Sequence, residues 1–112
     1  MYKLVSTDAD VNMTAFQGCV EAYYSDLVKV FGHPTYDTPS ADDKVSTEWC
    51  LKFFDPIWKK EVVATIYDWK EYDGGLRCRG SDAYGWHIGG KSQDAIRAVM
   101  SYFEQVMSEE VA

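Results

Sequence analysis

Residues 85–92 have a spacing that could bind phosphate. They read Gly-Trp-His-Ile-Gly-Gly-Lys-Ser and match the glycine and lysine positions of a P-loop. A P-loop also needs a parallel βαβ core and a second acidic strand, whereas residues 93–112 predict a single helix. We therefore interpret the stretch as a strand end, a turn and a helix start. Such a helix start offers at most a weak anion site through its free backbone N–H groups.

Side chains that bind metals or act as nucleophiles are scattered along the chain. His33 and His87 are isolated, and the three cysteines lie too far apart for zinc-ligand pairs. The acidic pairs Asp8/Asp10 and Asp42/Asp43 lack the loop that supplies six oxygens to calcium. A nucleophile elbow of the Gly-x-Ser-x-Gly type is also missing from the sequence. We expect no metal, no cofactor and no enzymatic activity.

The charge of the chain suggests a basic partner. Its 112 residues carry 18 Asp and Glu against 11 Lys and Arg, a formal charge of −7. Such an excess disfavours direct nucleic-acid binding and favours a protein with a basic surface. The candidate partner-binding residues are three acids near one end of the long central strand and an aromatic residue at a hairpin tip: Asp42, Asp43, Glu48 and Trp58.

The hairpin tip carries two large apolar residues, Ile57 and Trp58, between Pro56 and a pair of lysines. A tryptophan that folding leaves exposed is a common anchor of protein interfaces. The tip could equally fold back on the edge of its own sheet. The sequence leaves open whether a homodimer forms through these two residues.

Composition and cysteine usage predict one cytoplasmic domain that spans 1–112. Hydrophobic residues make up 46% of the chain and aromatic residues 15%, which is enough to form a core without disulfide bonds or a structural metal. The first residues do not resemble a signal peptide, and no apolar run approaches the roughly 20 residues of a membrane span. Three cysteines, an odd number, favour free thiols that pack as small buried hydrophobes.

The hydrophobic pattern predicts an α+β domain with the order β-β-α-β-β-β-α. Period-two alternation predicts strands over 2–7, 15–22, 45–53, 61–69 and 84–88. The first helix is expected to have Ser25 as its N-cap and to end at Gly32. An antiparallel sheet of four to five strands with both helices on one face would bury every apolar stripe in two layers.

Packing expectations follow from the same pattern. Trp49 and Leu51 should lie in the core, and His87 should point away from Trp86 and Ile88 on its strand. The C-terminal helix, with Ser92 as its N-cap, is expected over 92–108. The residues predicted to pack its apolar stripe on the sheet are Ile96, Val99, Met100, Phe103, Val106 and Met107.

An alternative hypothesis is a binder of a small phosphorylated ligand, such as a nucleotide signal. Aromatic side chains could form a pocket for its base, and basic residues could bind its phosphates. The aromatic residues are Trp49, Tyr67, Trp69 and Trp86, and the basic residues are Arg77, Arg79 and Lys91.

Four sequence blocks resemble small proteins encoded by bacteriophages. The blocks are Phe31-Gly32-x-Pro34, Thr47-Glu48-Trp49, the run over 64–70 (Ala-Thr-Ile-Tyr-Asp-Trp-Lys) and that over 86–90 (Trp-His-Ile-Gly-Gly). The resemblance implies a cytosolic accessory protein of a phage and carries no catalytic residue. By analogy with that class, the leading hypothesis is a non-enzymatic inhibitor that occupies a basic surface on a host or defence protein, with DNA mimicry as one form.

Overall fold

One antiparallel sheet of five strands organises the chain. The computed structural model describes residues 1–111. The elements are β1 (Lys3–Ser6), β2 (Ala15–Ala22), α1 (Tyr24–Phe31), β3 (Glu48–Asp55), β4 (Lys60–Tyr67), β5 (Tyr84–Gly90) and α2 (Asp94–Val111). The strand order across the sheet is β1-β3-β4-β5-β2, and every neighbouring pair is antiparallel. The predicted α+β class and element order are confirmed.

The start of β3 lies three residues later than the alternation predicts. Ser46 and Thr47 donate their backbone N–H groups to the buried Asp68 carboxylate, at 2.7 and 2.9 Å. The Ser46 hydroxyl donates to the same carboxylate at 2.6 Å. Val45 is outside the sheet because its backbone N–H and C=O are both bonded to Ser40, and the N–H groups of the next two residues bind the carboxylate.

The first helix begins earlier than predicted and ends where predicted. Its N-cap is Tyr23, without a side-chain hydrogen bond, so the assignment of Ser25 as the cap is wrong. Gly32 closes the helix with a φ of 83°, and its N–H donates to Val28 O at 2.8 Å. A positive φ of this kind favours glycine, because other residues meet a steric penalty there.

The helices cover one face of the sheet, which we call the covered face. Trp49 and Trp86 are fully buried there, with their rings edge to face at 5.4 Å. Phe31 of α1 contacts both Phe53 of β3, at 6.2 Å, and Tyr102 of α2, at 5.8 Å between ring centroids. The core positions of Trp49 and Leu51 and the placement of both helices on one face are confirmed.

The buried stripe of α2 is centred on smaller residues than predicted. Ala95, Ala98 and Val99 are fully buried, whereas Met100 is 42% exposed at the edge of the helix contact. The expectation that Met100 packs on the sheet is therefore wrong. Alanines bring the helix axis close to the strands, where a Cβ added to Gly90 would collide with Ala95. The other members of the predicted stripe pack against the core.

The opposite face, which we call the open face, is crossed by a single connecting segment. Because β1 and β2 form opposite edges of the sheet, the chain between them must cross the three strands that lie in between. It leaves the edge at Asp8, which bridges to Cys50, and it lines a cavity through Met13 with Val63 of β4. Cys50 and Thr65 are consequently buried, while the rest of the open face has no helix over it.

The three thiols are free, as predicted, but they differ in exposure. Cys50 and Cys78 are buried, whereas Cys19 is exposed on β2, contrary to expectation. Edge position explains the difference, because β2 has a strand neighbour on one side only. Within 1–111, no helix combines the length and apolar character needed to cross a membrane.

Candidate functional site

Four rings gather on the open face and form what we call the aromatic–histidine cluster: Phe16, Tyr67, Trp69 and His87. His87 lies at the centre. Its ring centroid is 4.8 Å from Phe16, 5.5 Å from Tyr67 and 6.1 Å from Trp69. The Trp69 ring is stacked on the imidazole with an interplanar angle of 26°. Residues from three segments of the sheet thus build one continuous aromatic surface.

Strand register explains how the cluster forms. Tyr67 and His87 are direct partners across β4 and β5, so both side chains leave the sheet on the same face. Trp69 follows two residues after Tyr67 and shares its side. A register shift between Phe16 and Gly18 places Phe16 opposite Gly89, on the open face, while Gly18 faces α2. A Cβ added to Gly89 would lie 2.7 Å from Thr65 Cγ2 and 3.5 Å from Tyr67 Cε1, so the glycine lets the open-face side chains pack closely here.

The cluster is accessible to solvent. Phe16 is 56% exposed and Trp69 37% exposed, unlike the two buried tryptophans of the covered face. Lys70 places its ammonium nitrogen 5.4 Å from the Trp69 ring centroid, a cation–π contact. The outer ring of the cluster therefore already binds a cation within the same chain.

Its electrostatic character is neutral at the centre and acidic at the border. Burial lowers the pKa of His87, so the imidazole is uncharged at neutral pH. Burial also raises the pKa of Tyr67, with a further contribution from the Glu48 carboxylate. Glu48 is half-buried and accepts a hydrogen bond from the Thr65 hydroxyl at 2.7 Å. The site therefore combines apolar ring faces with one oriented carboxylate.

Cys19 is the direct cross-strand partner of His87, an arrangement that resembles the start of a thiolate–imidazole pair. Nucleophilic catalysis requires a hydrogen bond between these groups. The His87 ring instead contacts the rings of Phe16, Tyr67 and Trp69. Burial raises the pKa of Cys50 to about 12 and that of Cys78 to about 11, which keeps both thiols protonated and unreactive.

The predicted acidic residues and Trp58 do not form one surface. Asp42 and Asp43 lie in a turn where Asp42 accepts from Ser40 and Lys44, and Glu48 lies at the base of that loop beside the cluster. Trp58 occupies the tip of the β3–β4 hairpin, past the other end of β3. An eight-residue strand separates it from Glu48 by roughly 25 Å.

The basic residues of the alternative hypothesis are also separated. The Arg79 side chain makes structural hydrogen bonds to two other segments of the chain. It donates to Thr47 Oγ1 at 2.7 Å, to Ser46 O at 2.9 Å and to Asp37 O at 2.6 Å. Arg77 precedes β5 and Lys91 follows it. The seven-residue strand places these two residues roughly 20 Å apart.

The predicted aromatic pocket does not form, because its members lie on opposite faces of the sheet. Trp49 and Trp86 are fully buried under the helices, and their indole N–H groups donate to Gly32 O and Ala22 O at 2.9 and 3.1 Å. Tyr67 and Trp69 belong to the open face. Strand alternation separates neighbouring positions such as Trp86 and His87, which confirms the predicted orientation of His87.

Lys91 does line a cavity of about 550 Å³ at the other end of the open face. Two further lysines of this cavity bind carboxylates, Lys60 to Asp94 at 2.6 Å and Lys52 to Glu61 at 3.9 Å. Its charged lining residues are Lys52, Lys60, Lys91, Asp10, Glu61 and Asp94. This balance of three cations and three anions does not favour a phosphorylated ligand.

Comparison with known proteins finds no relative of this chain. No protein-family model, curated protein or solved structure matches the chain significantly. Function must therefore be argued from the geometry. Within 1–111, no three His, Cys, Asp or Glu side chains group closely enough to hold a metal ion.

The aromatic–histidine cluster was not predicted from the sequence. Alternation in β4 signals that Tyr67 and Trp69 share a side, and alternation in β5 signals that His87 opposes Trp86. The pairing register that joins the two strands, and the bulge that rotates Phe16, depend on tertiary contacts. One usable signal is the glycine at 89, because a glycine inside a strand often marks a close approach, here of Thr65 and Tyr67 on β4.

Proposed function

We propose that the protein is a non-enzymatic binding protein whose open face takes up an arginine-rich segment of a partner protein. The observation that carries the proposal is the exposed aromatic–histidine cluster beside Glu48. Exposed aromatic surface is expensive to maintain in water unless a partner covers it. Aromatic residues are also the anchors that interfaces use most.

Arginine fits this surface better than other side chains do. Its planar guanidinium stacks on aromatic rings while its N–H groups remain free to bind a carboxylate. Lys70 already lies over Trp69, which indicates that the ring attracts a cation. Glu48 offers the carboxylate at the border of the cluster. The net charge of −7 attracts a basic segment from a distance and speeds its association.

Single-stranded nucleic acid also stacks its bases on aromatic residues of open sheets. Those sites combine the rings with a positively charged groove that follows the phosphates. This chain has the opposite charge, and a carboxylate borders its cluster. A basic protein segment is therefore favoured over a nucleic acid.

The phage resemblance supports a host or defence protein as the class of partner, and the cytoplasm of the infected cell as the place of action. An acidic protein that covers a basic surface blocks whatever that surface binds, including DNA. Inhibition of such a partner is therefore the activity we propose. Asp42 and Asp43, in the turn beside this end of the sheet, would add long-range attraction to the contact.

The decisive experiment titrates the protein with a hexa-arginine peptide and, as a control of equal charge, a hexa-lysine peptide. We expect tighter binding of hexa-arginine, with NMR shifts concentrated on Trp69 and His87. Trp69→Ala should weaken it about tenfold, the effect of one lost stacking contact, while the matched variant Trp58→Ala should not. Equal affinity for both peptides, or an unchanged Trp69→Ala, would contradict the proposal. Preferential binding of a single-stranded oligonucleotide would replace it.

A further inference from the structure

The tip of the β3–β4 hairpin displays two large apolar side chains on a firm turn. Ile57 and Trp58 are 75% and 76% exposed. The buried Asp55 carboxylate accepts the backbone N–H groups of both, at 2.9 and 3.3 Å, and so fixes the turn. Lys59 follows with a positive charge. The hairpin tip, which we define as residues 56–59, thus combines an exposed apolar surface with the positive charge of Lys59 on an acidic protein.

A groove of complementary character lies elsewhere on the molecule. It is an apolar cavity of about 170 Å³ between β2, α1 and α2, and the exposed Glu104 is among its lining residues. Glu21 also lines it, but its pairing with Gly85 places its side chain on the open face. Cavities of roughly 150 Å³ with aliphatic and aromatic walls accept a benzene-sized ring. The apolar residues that line the groove are Val20, Ala22, Leu27, Val99, Met100 and Phe103.

The tip of one molecule does not reach the groove of the same molecule. The hairpin tip precedes the N-terminal end of β4, whereas the groove lies at the level of its C-terminal end. There Val20 pairs with Trp86, and the adjacent His87 pairs with Tyr67. The eight residues of β4 separate the two levels by roughly 25 Å. The tip and the groove therefore point toward opposite ends of the sheet.

We propose that a second copy of this chain occupies the groove: Trp58 of one copy inserts between β2 and the helices of the next. The apolar ring matches the apolar walls, and Lys59 meets Glu104 at the rim. Charge complementarity selects this occupant, because the whole molecule is acidic and the tip supplies a basic side chain beside an exposed tryptophan. Such a contact joins two different surfaces, so it builds head-to-tail chains or rings, or closes a two-fold dimer when the two copies exchange tips reciprocally.

Mixing two variants tests this arrangement. Analytical ultracentrifugation should show the wild type growing beyond 12.8 kDa as its concentration approaches about 1 mM, the range of weak contacts. Trp58→Ala removes the tip anchor, and Glu104→Lys reverses the charge at the groove rim. Each should be a monomer alone. Their equimolar mixture retains one intact tip and one intact groove, and it should form dimers without longer chains.

Charge exchange gives an independent measurement. Lys59→Glu should weaken self-association about tenfold, and combining it with Glu104→Lys should restore most of the loss. Leu76→Ala, at an exposed apolar residue in a distant turn, should leave association unchanged. The proposal is overturned if the wild type stays monomeric throughout, if Trp58→Ala associates like the wild type, or if the mixture of tip and groove variants stays monomeric.

Discussion

The covered and the open face of the sheet display aromatic residues from the same strands, yet their environments are opposite. Trp86 and His87 are chain neighbours on β5, one fully buried under the helices and the other in the exposed cluster. On the covered face, each indole N–H of Trp49 and Trp86 has a carbonyl partner. On the open face, Trp69 contacts rings and a lysine and stays accessible.

The difference arises from what each face packs against. Small residues of α2 bring a helix into contact with the covered face, whereas neither helix of the described residues 1–111 packs on the open one. Close packing makes the covered face the main source of stability, since buried area sets the hydrophobic contribution. The open-face rings bury one another only in part, which leaves their surface for a partner.

The largest expected effect separates the two faces by stability. Trp49→Ala should lower the free energy of unfolding by about 3–5 kcal/mol, because it leaves a cavity in the covered face. Trp69→Ala should cost about 1 kcal/mol, the value of a partly exposed ring contact. Urea unfolding of both variants measures the difference. Losses of equal size would show that the open-face cluster belongs to the stabilising core.

Two glycines of β5 give a smaller and sharper comparison. A Cβ at Gly90 would collide with Ala95 on the covered face, so Gly90→Ala should cost about 1–3 kcal/mol through overpacking. A Cβ at Gly85 would meet nothing within 4 Å, and Gly85→Ala should be neutral or stabilise by about 0.5 kcal/mol. Thermal unfolding distinguishes them. A strongly destabilised Gly85→Ala would mean that something covers this part of the open face.

Elements and their order could be predicted from the sequence because their signals are local. Alternation in β3 and β4 and the glycine after α1 depend on neighbouring residues only, and they led to the correct fold class. The errors occur where a residue distant in sequence determines the local structure. Asp68 binds Ser46 and Thr47 and so delays β3, and the close approach of α2 adds Ala95 and Ala98 to the buried stripe and leaves Met100 at its edge.

The site was less accessible to sequence reasoning than the fold. The predicted pocket joined Trp49 and Trp86 to Tyr67 and Trp69 by residue type, although strand parity places the pairs on opposite faces. The actual cluster depends on the β4–β5 register and on the bulge in β2. Neither feature has a local signal, because a register is specified by the packing of whole strands.

The smallest expected effect is a pH dependence that originates in the open face. Because burial lowers the pKa of His87 below its usual 6.5, the unfolded chain takes up a proton first as the pH falls. The His87 contribution should therefore be constant above about pH 7.5, turn unfavourable as the pH falls through 6.5, and level off below the folded pKa. His87→Gln should remove this component from a series of urea midpoints between about pH 5 and 8.

Protonation of His87 should also affect the affinity of the open face for the peptide. An imidazolium at the centre of the aromatic–histidine cluster repels a guanidinium, so affinity for the hexa-arginine peptide should fall in the same pH range. In His87→Gln that part of the fall should be absent, since no proton binds at the cluster centre. NMR of the His87 ring protons gives the midpoint directly. A midpoint at or above 6.5 would show that the open face solvates the imidazole fully. The pKa of His87 would then give no evidence that the cluster buries its central ring.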